Sequence, residues 1–250
     1  MGIFDFIFKR NDTQEVKTET PQELENEYLS PSVNNFAFQE KFYNQSERLL
    51  KVFGYANAMI PNTVKLLIIT DTHNTLNEEE LIDAINMHPN YDICVLLGDH
   101  SDADIRKILN HIPKEKIYAL LGNHDTNYIE NYNFNNLNGR IIEINGVKLM
   151  GIQGSFKYKP VNFPSFSQED SIRFLNDKEP VDILLSHDGP FNDESTNNPA
   201  HQGLFGITYY LYKNHVKYNV HGHIHERFNK QLINGTKEMS LFGIEYIELS

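Results

Sequence analysis

Five times along this chain a short β-forming run ends in a cluster of carboxylate, imidazole or amide side chains, and this repetition constrains the fold more than any other feature. Val64–Thr70 leads into Asp71-Thr72-His73, Ile93–Leu97 into Gly98-Asp99-His100-Ser101-Asp102, and Ile117–Leu121 into Gly122-Asn123-His124-Asp125. Later, Ile183–Ser186 leads into His187-Asp188, and Tyr218–His221 into Gly222-His223-Ile224-His225. Helical patterns near Glu78–Met87 and Asp102–Ile112 separate the first three runs. Strand and helix in alternation predict βαβ units around a parallel core sheet. In such α/β sheets the carboxyl ends of the strands face the functional crevice, so five polar clusters are expected to converge there. Ile141–Ile144 and Val147–Ile152, joined by Asn145-Gly146, carry the signature of a β-hairpin. Further strands are expected at Gln231–Ile233 and Ile244–Leu249.

At 250 residues the chain can bury one sizeable core, and the composition shift at Pro61-Asn62 marks the start of the domain that holds all five clusters. Residues 1–60 read as an N-terminal arm, with a polar linker over 9–35 and a helix within 36–59. The aromatic stretch Ile3–Phe8 is expected to fold back onto its own domain, and the N-terminal region is open to a partner contact or a homo-oligomer. The single cysteine, Cys94, allows no internal disulfide and points to a reducing, cytoplasmic setting. Apolar runs are too short to insert in a membrane. A net charge of −12 disfavours stable binding to nucleic acid or to anionic lipid.

The cluster residues are ligands for hard or borderline divalent cations, and they include no thiolate set. Alternation along an extended segment predicts that Asp71 and His73 share one side, and likewise His223 and His225. A carboxylate such as Asp99 has two oxygens and can bridge two cations. Two metals about 3.5–4 Å apart can clamp the attacking and leaving oxygens of a phosphoryl group and bring the pKa of a bound water towards about 7.

In order, Asp-x-His, Gly-Asp-x-x-Asp, Gly-Asn-His-Asp, a lone His and Gly-His-x-His resemble the calcineurin-like metallophosphoesterase superfamily over roughly residues 62–250. The resemblance implies an α/β sandwich of two mixed β-sheets face to face, flanked by helices. It implies Asp71, His73 and His225 as ligands of one metal, Asn123, His187 and His223 as ligands of the other, and Asp99 as the bridge. It also implies His124 as the catalytic histidine beside the phosphoryl group, with Asp102 orienting it; Asp102 is equally suited to capping the helix that follows. Protein Ser/Thr phosphatases of the family continue Gly-Asp-x-x-Asp with Arg-Gly, whereas here Asp102 precedes Ala103 and Asp104. The chain is therefore more similar to the compact bacterial or phage enzymes, as is the stretch His201-Gln202-Gly203.

The expected activity is hydrolysis of a phosphate ester, such as a small molecule or nucleotide, by in-line attack of a metal-held hydroxide, with two divalent ions as cofactors. Manganese is the first choice among Mn, Fe, Zn and Ni. A phosphodiesterase is preferred to a phosphomonoesterase or a nuclease, and the alternative from another class is a non-catalytic interaction module of the same fold. Of the remaining histidines, His201 is placed nearest the site and His221 is read as a buried strand residue supporting it. Asp125 and Asp188, each following a ligand position, are suited either to orienting ligands or to holding a turn.

Overall fold

The computed structural model describes residues 62–191 and 198–250, so the expected N-terminal arm, its helix and the Ile3–Phe8 stretch lie outside the described residues. The chain runs β1 (Val64–Thr70), α1 (Glu78–Met87), β2 (Ile93–Leu96), α2 (Asp102–His111), β3 (Ile117–Ala119), α3 (Tyr128–Asn131) and β4 (Asn135–Asn136). It continues through β5 (Ile141–Ile144), β6 (Val147–Ile152), β7 (Ser155–Phe156), β8 (Ser165–Phe166), α4 (Gln168–Asn176) and β9 (Ile183–Ser186). The last elements are α5 (Phe205–Asn214), β10 (Tyr218–His221), β11 (Phe228–Gln231), β12 (Lys237–Ser240) and β13 (Gly243–Leu249).

Two mixed sheets result. The first has the order β13-β1-β2-β3-β4, parallel except where β13 returns antiparallel along the whole of β1. The second has the order β11-β12-β10-β9-β6-β5, with a parallel centre and an antiparallel strand on each edge. A strand buried on both faces is a continuous apolar run, and β1 shows why. Its Val64, Leu66 and Ile68 meet Leu149, Ile183, Leu185 and Val220 of the second sheet, while Leu67 and Ile69 turn outward to α1 and α2. On the far side Met150, Ile152 and Leu184 pack under α4 and α5 through Leu175, Ile207, Tyr210 and Leu211. The layers are helix, sheet, sheet, helix, as the sandwich expectation requires. No helix among the described residues is long and apolar enough to cross a membrane.

The late part of the chain departs from expectation. The strand expected at Gln231–Ile233 is instead Phe228–Gln231, paired antiparallel with β12. Ile233 sits 97% exposed in the turn between them, where the Asn234 amide donates to the Leu211 carbonyl and to the Thr236 hydroxyl. That turn chemistry outweighs the β propensity of an isolated isoleucine. Helices α4 and α5 are not signalled by the sequence pattern. Ser167 caps α4 by accepting from Asp170 N, but both helices bury narrow stripes that leave much of their apolar surface in water.

Leu185, fully buried between the sheets, should lose about 3 kcal/mol of stability on Leu185→Ala. Ile233→Ala should change stability by less than about 0.5 kcal/mol, as for other free surface positions. Urea unfolding followed by circular dichroism compares the two, and a large loss at position 233 would contradict the strand assignment.

Candidate metal centre

All five clusters meet at one edge of the sandwich, but not through extended backbone. Asp71 (φ 53°), His73 (φ 44°), Asn74 (φ 68°) and Asp99 (φ 59°) are left-handed, as are His223 (φ 72°) and His225 (φ 57°). The expectation that alternation aligns Asp71 with His73, and His223 with His225, is therefore corrected. The strands break sharply and the side chains are aimed by left-handed turns. Each such residue carries about 1–3 kcal/mol of local strain that its surroundings must over-determine.

Two buried carboxylates do this. Asp125 accepts from Asp99 N (2.7 Å) and Gly122 N (2.6 Å) through Oδ2 and from His100 N (2.7 Å) through Oδ1, tying the ends of β2 and β3 together. Asp104, on the first turn of α2, accepts from the Thr72 hydroxyl (2.8 Å), Asn74 N (2.7 Å) and Leu76 N (3.1 Å), pinning the turn after β1. The backbone also closes on itself, with Asp71 N donating to Gly98 O (2.9 Å) and His73 N to Asp99 O (3.1 Å). Two glycines permit the close approach. A Cβ on Gly122 would stand 2.2 Å from Asp99 Oδ1, and one on Gly222 would stand 2.3 Å from Asp71 Oδ2.

Two groups of ligand atoms result. Asp71, His73 and His225 form the first, with His73 Nε2 and His225 Nε2 3.0 Å apart and His225 Nε2 3.4 Å from Asp71 Oδ1. Asp99, His187 and His223 form the second, and Asn123 Oδ1 joins it 3.0 Å from His187 Nε2. Asp99 Oδ2 lies 3.6 Å from His73 Nε2 and 3.6 Å from His187 Nε2, one imidazole of each group. The outer ring nitrogens are fixed: His187 Nδ1 donates to the Leu97 carbonyl (2.8 Å) and His223 Nε2 to the Ala200 carbonyl (2.7 Å). Each ring thereby turns its other nitrogen inward, the arrangement that metal-binding histidines use. His124 sits beside the first group, its ring 5.4 Å from that of His73 and its backbone N–H on Asp99 Oδ1 (2.8 Å).

The electrostatics suit a cation. Burial works against the Asp71 charge, but His225, His187, the Thr70 hydroxyl and the His223 N–H together hold its carboxyl well below the usual range. Burial lowers His73 and His223, favouring neutral rings with a free lone pair. Asp71 Oδ1 is buried with no hydrogen-bond partner among the described residues, and it faces two imidazoles that share the same small space. A divalent ion satisfies this orphaned oxygen and both nitrogens at once, so the residues present fit a metal.

Asp102 is the exception among the expected site residues. Its carboxylate is taken by Arg106 on the next turn and by the Tyr132 hydroxyl, its side chain is 55% exposed, and it makes no hydrogen bond to His124. The helix cap is Ser101, whose hydroxyl accepts from Asp104 N. At the first helical position Asp102 projects along the outer face of α2, which explains the pairing with Arg106 four residues on. Asp104, two residues on, is the aspartate that pins the turn after β1. Nothing in the spacing singles out Asp104, since its partners come from the turn after β1. His201 does lie near the centre, edge-on to His223 at 5.2 Å.

Asp104→Ala should weaken divalent-cation affinity about 10- to 100-fold, as removal of outer supporting groups does, whereas Asp102→Ala should change it by less than about twofold. Calorimetric titration with Mn2+ distinguishes them. The reverse order would restore Asp102 to the centre.

The sandwich resembles solved structures at low identity. The protein TT1561 of Thermus thermophilus superposes with a TM-score of 0.50 and 12% identity, over 72% of this chain and 90% of that one. The phosphopantetheinyl hydrolase PptH of Mycobacterium tuberculosis does so with a TM-score of 0.51 and 12% identity, over 74% and 91%. Likeness at this identity establishes the fold alone. No curated protein matches the chain. The model of the calcineurin-like phosphoesterase family matches residues 64–227, which span every cluster described above. The chain belongs to the calcineurin-like phosphoesterases and is a metal-dependent phosphoric ester hydrolase.

Proposed function

We propose that the chain is a dinuclear-metal phosphodiesterase. In this reading Asp71, His73 and His225 hold one cation, Asn123, His187 and His223 hold the second, and Asp99 bridges them. The observation that carries it is the position of Asp99 Oδ2, 3.6 Å from an imidazole nitrogen of each group, where one oxygen can serve both sites. When bound, the two ions supply Lewis acidity at the phosphoryl oxygens and lower the pKa of a coordinated water towards neutrality. Manganese fits the mixed set of carboxylate, amide and imidazole donors.

The protein's own part is orientation and proton handling. Asp104 and Asp125 fix the turns that aim the donors. His124, anchored through its N–H to Asp99 Oδ1, presents its ring beside His73, where it contacts the phosphoryl group and protonates the leaving oxygen. The backbone tether of His124 to Asp99 fixes where its main chain sits beside the centre.

Hydrolysis of bis-p-nitrophenyl phosphate and p-nitrophenyl phosphate by Mn2+-loaded protein tests the reading. The diester should be the better substrate, and Asp99→Ala should remove both turnover and most bound metal. His124→Ala should lower kcat about 100-fold or more with metal content near that of the wild type. Equal metal loss in the two variants would defeat the division of roles, and absence of turnover with either ester would defeat the phosphodiesterase reading.

A further inference from the structure

Beside the metal centre lies a cleft of about 370 Å3, lined by Asp188, His201, His221, Phe228, Lys230 and Glu238 among others. That volume falls in the range of small-molecule sites, roughly 300–1,000 Å3, and exceeds what a phosphoryl group needs. The cleft adjoins the centre at two points. His201 packs edge-on against His223, and Asp188 directly follows His187.

The cleft is acidic, with Asp188, Glu226 and Glu238 against the one lysine, Lys230. Asp188 is committed to backbone, accepting from Phe156 N (2.9 Å) and Gly189 N (2.8 Å). Glu238 is not fully committed. It is 3% exposed; Oε1 lies 3.2 Å from both His221 Nε2 and Lys230 Nζ, while Oε2 has no hydrogen-bond partner among the described residues. A buried acceptor left in this state is unfavourable, more so when charged.

The same place already holds an ammonium. Lys230 Nζ stands 5.1 Å from the centroid of the Phe228 ring as well as on Glu238, a carboxylate and an aromatic face together. Lys230 belongs to β11, the edge strand of the second sheet, and its side chain is 46% exposed, so solvent is open to it as an alternative.

We propose that this cleft receives the organic part of the phosphate ester and selects one that carries an ammonium group, with Glu238 and Phe228 as specificity-determining residues. The inference rests on the phosphoesterase reading above. A substrate ammonium replaces that of Lys230, on Glu238 Oε1 and beside the Phe228 ring. An organic part bearing a second anion meets Glu226 and Glu238 and is excluded by like charge.

The test uses the full Mn2+-loaded chain with 2-aminoethyl p-nitrophenyl phosphate and ethyl p-nitrophenyl phosphate, which share a leaving group and differ by one ammonium. The aminoethyl ester should have a kcat/KM about tenfold higher, mainly through KM, the scale of one desolvated cation–aromatic and carboxylate contact. Glu238→Gln should bring the ratio close to one. Lys230→Met, at an exposed edge position, should raise the ratio by lowering KM for the aminoethyl ester. Equal kcat/KM for the two esters in the wild type, or a ratio unmoved by both variants, would overturn the proposal. Turnover of neither ester would count against the phosphoesterase reading. Calorimetry with O-phosphoethanolamine and ethyl phosphate then reads the cleft directly, and equal or absent binding would overturn it.

Discussion

Four of the aspartates buried at one edge of the sandwich set the terms for everything around them. Asp71, Asp99, Asp104 and Asp125 come from three neighbouring strand ends and the helix between two of them. Like charges so close in a poorly solvated place must each be given a partner or give up their charge. Asp104 and Asp125 are answered by backbone N–H groups. Asp71 and Asp99 each have one oxygen held by a backbone N–H, from His223 and His124, while the other faces imidazoles, and Asp71 Oδ1 is left without a hydrogen bond. Burial, with the Asp99 charge nearby, pushes Asp125 up to about 6. The division of labour follows from this. Carboxylates saturated by backbone shape the turns, and carboxylates left partly unsatisfied are free to bind.

The strained backbone belongs to the same arrangement. A regular strand end would spread Asp71 and His73 along the sheet edge. The left-handed turns fold them back towards Asp99, and the N–H groups that those turns release are the ones Asp104 and Asp125 accept from. Strain and compensation are therefore local to each other. The sheets behind the site, filled with aliphatic side chains buried on both faces, supply the rigidity that keeps the turns from relaxing.

What could be read in the amino-acid order was whatever depends on short-range pattern. β1 and α1, the Asn145-Gly146 hairpin, β9 and β10 lie where periodicity and turn residues place them. The seven metal-ligand candidates were legible because each follows a strand, and the structure gathers them at one edge. What depends on partners far along the chain was not legible. Asp102 and Asp104 are both acidic residues at the start of one helix, and only the arrival of Thr72, Asn74 and Leu76 makes Asp104 the one that holds the turn after β1. β12 was missed because Lys237-Glu238-Met239-Ser240 has a strand pattern only if Glu238 is accepted as buried, and its burial rests on His221 and Lys230. Asp71 does meet His73, and His225 joins them, but through turns that an argument from strand alternation does not contain.

The donors are divided between the two sheets. Asp71, His73, Asp99 and Asn123 follow strands of the first, whereas His187, His223 and His225 follow strands of the second. The bond from His187 Nδ1 to the Leu97 carbonyl already crosses that boundary. An ion held by either group therefore spans the seam along which the sandwich would come apart, and it binds only the joined form. By mass action, free ion at about 100 times its dissociation constant adds about 2.7 kcal/mol to the apparent stability of the joined sheets. In the proposed reading the centre is then a clasp as well as a catalyst, and the cohesion of the domain would rise and fall with the supply of metal around it.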